Sequence, residues 1–155
     1  MPSNLAFPSE RQAEIWKLRR NNVAPSIIAD QFQVKRPVIS KALRVSTTKI
    51  NKLLEDTIRA NKLIITKIDP VSGFVWAHSP IFNTPAYVTY SPKNKIQVWY
   101  GHEGECTDCD LVEECKSAIL LEVEERNLSL PDPNASPSSL CDQLIDIIMA
   151  QLDWK

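Results

Sequence analysis

Residues 25–43, Pro25-Ser26-Ile27-Ile28-Ala29-Asp30-Gln31-Phe32-Gln33-Val34-Lys35-Arg36-Pro37-Val38-Ile39-Ser40-Lys41-Ala42-Leu43, decide how the N-terminal half folds. Pro25-Ser26 opens a short helix with apolar residues at Ile28, Ala29 and Phe32. Gln33-Val34 makes a tight turn. Lys35-Arg36-Pro37 opens a further helix, with Pro37 in the first turn, where a missing amide hydrogen is tolerated. Upstream, Ser9-Glu10-Arg11-Gln12 fits a capping box and predicts a helix through Ile15 and Leu18, ended by Asn21-Asn22. Downstream, Ile39, Leu43, Ile50, Leu53, Leu54 and Ile58 recur at helical spacing, so the third helix is long and runs to about residue 61.

A short helix, a tight turn and a basic helix form the helix-turn-helix arrangement, whose second helix enters the major groove. Ile39, Ala42 and Leu43 then pack inward, while Lys35, Arg36, Val38, Ser40, Lys41 and Arg44 face double-stranded DNA. The residue types suit that task. Arginine grips guanine bidentately, lysine neutralises phosphate, and Val38 meets a thymine methyl. The segment Glu10 to Leu43 resembles the helix-turn-helix of Tfx-type archaeal regulators and, more loosely, sigma-factor region 4 and LuxR-type domains. Residues 11–19, Ile27-Ile28-Ala29-Asp30 and residues 36–43 carry the likeness; Gln33 departs from it, since such turns often hold glycine. The resemblance implies a sequence-specific transcription regulator. The stripe Ile50, Leu53, Leu54, Thr57 and Ile58 is either the seam of a homodimer or a face packed on the chain's own second half.

The chain has 155 residues and a formal net charge of −1, which hides a split. Residues 1–68 hold 13 Lys and Arg against 5 Asp and Glu; residues 69–155 hold 5 against 14. A basic nucleic-acid surface joined to an acidic body gives such a split. No run of eighteen apolar residues exists, and the first residues lack the pattern of a signal peptide. A cytoplasmic protein, off the membrane, is expected, with thiols kept reduced.

In the middle, Leu63–Ile68, Phe74–His78, Ala86–Tyr90 and Ile96–Tyr100 read as strands, with turns at Asp69–Gly73 and Ser91–Lys95. They predict a small antiparallel sheet, either a wing beside the helices or a sensor platform. Phe74, Trp76, Tyr87, Trp99 and Tyr100 are expected in its core. Leu111 to about Arg126 reads as a helix, residues 129–139 as a turn-rich linker, and Leu140–Trp154 as a last helix. That helix presents Leu144, Ile147, Ile148 and Leu152 on one face and Cys141 in its first turn. The expected class is α+β, in three parts: residues 1–62 for DNA binding, 63–101 for the sheet, and 102–155 for a cysteine-rich region.

Cys106-Thr107-Asp108-Cys109-Asp110-Leu111-Val112-Glu113-Glu114-Cys115 puts three of the chain's 4 cysteines into ten residues. The spacing suits a soft metal or an iron–sulfur cluster, because a C-x2-C loop turns two thiolates onto one centre. A zinc site built from Cys106, Cys109, Cys115 and either His102 or Cys141 is the alternative, and free or redox-active thiols a third. The C-x2-C-x5-C loop resembles the cluster-binding loop of FNR-type oxygen sensors and of WhiB-like regulators, in ligand pattern and not in fold. That resemblance implies a 4Fe-4S cluster on Cys106, Cys109, Cys115 and a remote fourth cysteine, here Cys141, with a role in sensing redox state, O2 or NO. No phosphate-cradling, dinucleotide-binding, zincin or nucleophile-elbow motif is present, and the chain has only 3 glycines, so no enzymatic reading is supported. An electron-transfer or scaffold protein is the remaining class. Glu113-Glu114 and Glu122, Glu124 and Glu125 read as a solvated helix face.

Overall fold

The structure, a computed structural model, describes residues 7–101 and 111–154. Within them lie α1 (Glu10–Arg20), α2 (Pro25–Phe32), α3 (Arg36–Ala60), β1 (Ile64–Asp69), β2 (Phe74–Ser79), β3 (Thr84–Ser91), β4 (Lys95–Tyr100), α4 (Val112–Glu125) and α5 (Pro137–Gln151). The class is α+β, as expected.

The capping box at the start of α1 is formed. The Gln12 amide donates to Ser9 Oγ at 3.2 Å, and the Ser9 amide donates to Gln12 Oε1 at 2.9 Å. Adjacent residues of α1 then serve two cores. Ile15 packs with Ile28, Ala29 and Ile39 to hold the first three helices together. Trp16 packs with Ile50, Leu54 and Ile58 of α3 against Val75, Ala77, Val88 and Tyr90 of the sheet. The apolar stripe of α3 is therefore covered by the chain's own sheet. Buried Ser46 fastens α1 to α3 from the side: its hydroxyl lies 2.7 Å from Ala42 O and 3.2 Å from Gln12 O. Losing the cap by Ser9→Ala should cost about 1 kcal/mol, read as a lower urea midpoint with an unchanged slope.

The four strands form one antiparallel sheet in the order β1-β2-β3-β4. Because side chains alternate along a strand, Val75, Ala77, Ala86, Val88 and Tyr90 meet α1 and α3. Phe74, Trp76, Tyr87 and Trp99 meet α4 and α5 on the other face. The sheet is thus a middle layer between two helical layers. The register shifts between Ile65 and Lys67 in β1, a bulge of the kind that twists an edge strand away from further pairing.

Gly73 closes the β1–β2 turn with φ +67, and a Cβ there would stand 2.8 Å from Tyr90 O and 2.9 Å from the Trp16 ring. Gly73→Ala is expected to cost about 1–3 kcal/mol through backbone strain and overpacking. An unchanged denaturation midpoint would show that the turn can move off Trp16.

The last helix begins at Pro137, three residues before the predicted start, because Ser136 caps it and Pro137 occupies its first turn. Cys141 consequently lies in the second turn of α5, not the first. The buried face of α5 is Leu140, Leu144, Ile145, Ile148 and Met149, with Ile147 and Leu152 half-buried. Among the described residues no helix is long and apolar enough to cross a membrane.

Candidate nucleic-acid interface and cysteine site

The turn between α2 and α3 explains why Gln33 stands where glycine is common. Gln33 takes the left-handed conformation, φ 55 and ψ 45, and ends α2. Its amide donates to Asp30 O at 3.2 Å and that of Val34 to Ala29 O at 3.0 Å, which satisfies the last carbonyls. The side chain of Gln33 is exposed, so the residue meets no steric barrier beyond its backbone. Val34 then drops into the three-helix core, and α3 starts at Arg36.

The first turns of α3 separate by chemistry. Ile39 is buried, and Ala42 and Leu43 pack half-buried beside it. Lys35, Arg36, Val38, Ser40, Lys41 and Arg44 are all exposed, with Val38 at 47%. No ion pair among the described residues engages the four cations. Farther along the same helix Lys52 and Arg59 are neutralised within the chain, both pairing with Asp56. The outer face of residues 35–44 is thus a positive strip with an exposed apolar residue at Val38, on a helix whose inner face packs into the three-helix core.

Of the cysteine positions, Cys115 and Cys141 are described; Cys106, Cys109 and His102 lie outside the described residues. Cys115 is exposed in the first turn of α4, its amide donating to Leu111 O at 2.9 Å. Cys141 is half-buried on α5 and lines a groove of about 310 Å³ between that helix and the end of the sheet. Tyr87, Tyr100, Asp142 and Asp146 share its walls, as does Gly101, the residue from which the chain enters the cysteine segment. Burial pushes the Cys141 thiol up to about 12, and the charges of Asp142 and Cys115 add to the effect. A thiol in this setting stays protonated at neutral pH unless a positive centre approaches it. Among the described residues no group of three or more His, Cys, Asp or Glu is arranged to hold a metal.

A third cluster was not legible in the sequence, and it corrects one expectation. Glu122 and Glu125 do not belong to a solvated face; they are 0% and 1% exposed, while Glu113, Glu114 and Glu124 do face solvent. Glu122 Oε2 accepts from Arg126 Nε at 2.6 Å and from Ser91 Oγ at 2.7 Å, and Oε1 accepts from Asn94 Nδ2 at 2.9 Å. The Glu125 carboxylate caps the β3–β4 turn, accepting from the amides of Lys93 and Asn94. Arg126 also donates to Ser72 Oγ and to Gly73 O. Arg20, the last residue of α1, lies 4.7 Å over the Trp16 ring and donates to Tyr90 O, Ser91 Oγ and Glu125 O.

Electrostatics in this cluster are balanced inside the protein. Burial alone would raise the Glu122 carboxyl. The charges of Arg126 and Arg20, with the hydrogen bonds from Asn94 and Ser91, outweigh it and hold the group below its usual value. Burial and the repulsion of Arg126 bring Arg20 down to about 9, so it stays charged at neutral pH. The one sequence signal was the spacing of Glu122, Glu125 and Arg126, which puts an acid and a base four residues apart on one helix. Nothing local to Arg20 marks it as their partner.

Comparison of the chain with protein-family models, with curated proteins and with solved structures finds no match.

Proposed function

We propose that this chain is a sequence-specific DNA-binding transcription regulator, non-catalytic and cytoplasmic, whose C-terminal half holds a sensing iron–sulfur cluster. The observation that carries the first part is the strip Lys35, Arg36, Val38, Ser40, Lys41 and Arg44. These residues stand exposed on a helix whose opposite side is fixed by Ile39, Ala42 and Leu43. A helix presented in this way fits the major groove, where Arg36 and Arg44 can read guanine while Lys35 and Lys41 neutralise phosphate. Two copies on paired half-sites would double that contact, which favours a homodimer as the acting form.

The described residues fit a cluster in two respects. Cys115 and Cys141 stand on α4 and α5, two helices that pack on the same face of the sheet, and the donors are soft thiols. Cys106 and Cys109 would complete the set, with His102 as the alternative to Cys141. A 4Fe-4S cluster bound there would supply sensitivity to oxidants or NO. The chain's own contribution is to hold α4 and α5 to a common centre and to set the polarity around it, through Tyr87, Asp142 and Asp146.

The test starts from selection of bound duplexes out of a random pool, followed by titration of the selected duplex at several salt concentrations. Arg36→Ala or Arg44→Ala is expected to weaken binding by about 1–3 kcal/mol and relax specificity at one base pair. Lys35→Ala or Lys41→Ala is expected to weaken binding to all duplexes alike and flatten the salt slope by about one. Parent-like binding by all four variants would overturn the assignment of α3 as the reading helix.

A further inference from the structure

We infer that Arg20 latches α4 to α1, so that the helix bearing Cys115 and the helix that braces α3 move as one piece. Of the fully buried residues of α4, Ile119, Glu122 and Glu125, only the first is hydrophobic, with Ala118 and Val123 packed half-buried beside it. Glu122 and Glu125 bind the sheet turns through Ser91, Lys93 and Asn94, which fixes where α4 sits. What joins α4 to the N-terminal helices is a different set of bonds. The Glu125 carbonyl, one of the last of α4 and so without an intrahelical partner, accepts from Arg20 Nη2 at 3.3 Å and from Asn21 Nδ2 at 3.2 Å. Both donors come from the end of α1.

The same guanidinium spans three other places. Its Nη1 donates to Tyr90 O at 2.8 Å and lies 3.4 Å from Ser72 O, and its Nη2 donates to Ser91 Oγ at 2.9 Å. One planar group thereby ties the end of α1, the β1–β2 turn, β3 and the end of α4. A planar fork held at four points and stacked on Trp16 tolerates few orientations, which suits it to transmit position rather than to add much stability. From α1 the path to the reading helix is short. Ile15 and Trp16 pack on α3, and Ser46 of α3 bonds Gln12 O. Within the cavity of about 460 Å³ beside Arg20 the charged groups are Arg19, Asp69 and Arg126, and Glu122 faces Arg20 from α4.

This inference requires neither a cluster nor DNA, so a failed DNA titration leaves it standing. The experiment is native-state hydrogen exchange, resolved by residue, on the full chain and on Arg20→Met and Arg20→Lys. Methionine keeps an unbranched apolar stem but donates nothing. In Arg20→Met the amides of residues 119–125 are expected to exchange at least about tenfold faster, while those of α1 and α3 stay within about twofold of the parent. Arg20→Lys, which keeps the charge and can reach one carbonyl, should fall between. Equal acceleration in both halves would make Arg20 a contributor to global stability alone, and unchanged exchange would make it dispensable; either result overturns the inference. If Arg20→Met does not fold, the split between the two halves in Arg20→Lys decides.

Discussion

Glu122→Ala is expected to lower stability by about 3–5 kcal/mol, more than any replacement on the exposed face of α3, because it leaves buried positive charge unmatched. The Arg126 guanidinium is 4% exposed and would lose the carboxylate 2.6 Å away. Arg20, already held down by burial and by Arg126, would lose a charge that favours its protonated form. Ser91 Oγ and Asn94 Nδ2 would each lose an acceptor. Glu122→Gln keeps the shape and one acceptor and should cost less, about 1–3 kcal/mol. The pH dependence separates charge from shape. The folded Glu122 carboxyl lies below its usual value of 4.5, so its stabilising contribution is complete above that value and disappears as pH falls through the folded one. Urea denaturation between pH 7 and pH 3 should show Glu122→Gln converging on the parent at the acid end. Parallel curves over that range would mean that Glu122 carries no charge of consequence in the folded protein.

That network also shows why some of this molecule was readable from its sequence and some was not. The capping box at Ser9, the stripe of α3 and the strand at Phe74–Ser79 depend on neighbours within one or two turns, and they appear in the structure as their patterns predict. The start of α5 was set three residues early by Ser136 and Pro137, which act by capping and not by periodicity. Glu122 and Glu125 had the composition of a solvated face. Their carboxylates are met by Ser91, Lys93 and Asn94 from another part of the chain, and Glu122 by the charge of Arg20, more than a hundred positions away; a local pattern reveals none of these. The outward set on α3 was legible for the opposite reason: once Ile39, Ala42 and Leu43 are inside, helix geometry alone puts Lys35, Arg36, Val38, Ser40, Lys41 and Arg44 outside. The placement of Cys115 and Cys141 lay between these cases. Residue types suggested that they act together, but it is the fold that puts their helices, α4 and α5, on one sheet face.

Protein prepared without air is expected to be brown, to contain iron and acid-labile sulfide at about four of each per chain, and to lose most of both in Cys106→Ala, Cys109→Ala or Cys115→Ala. A colourless preparation with one zinc per chain would support a structural zinc site in place of a cluster. Separate changes at Cys141 and His102 identify the fourth ligand, with the greater loss expected at Cys141. The functional consequence follows from where the two described cysteines sit. Cys115 lies in the first turn of α4 and Cys141 in the second turn of α5, so a shared centre would clamp the two helices together. Release of that clamp would remove one constraint on α4, and the bonds of Glu125 O to Arg20 and Asn21 would carry its movement to α1. DNA affinity must then differ between cluster-bound and apo protein by about 5–150-fold, the usual range of coupling between two sites, because a ligand shifts an equilibrium only through its different affinity for the states. Titration of one selected duplex with both forms, at one salt concentration and with oligomeric state measured in parallel, checks this. Arg20→Met should bring the two affinities together without removing binding. Equal affinities and equal oligomeric states in the parent would reduce any bound metal to a structural staple and withdraw the sensing role.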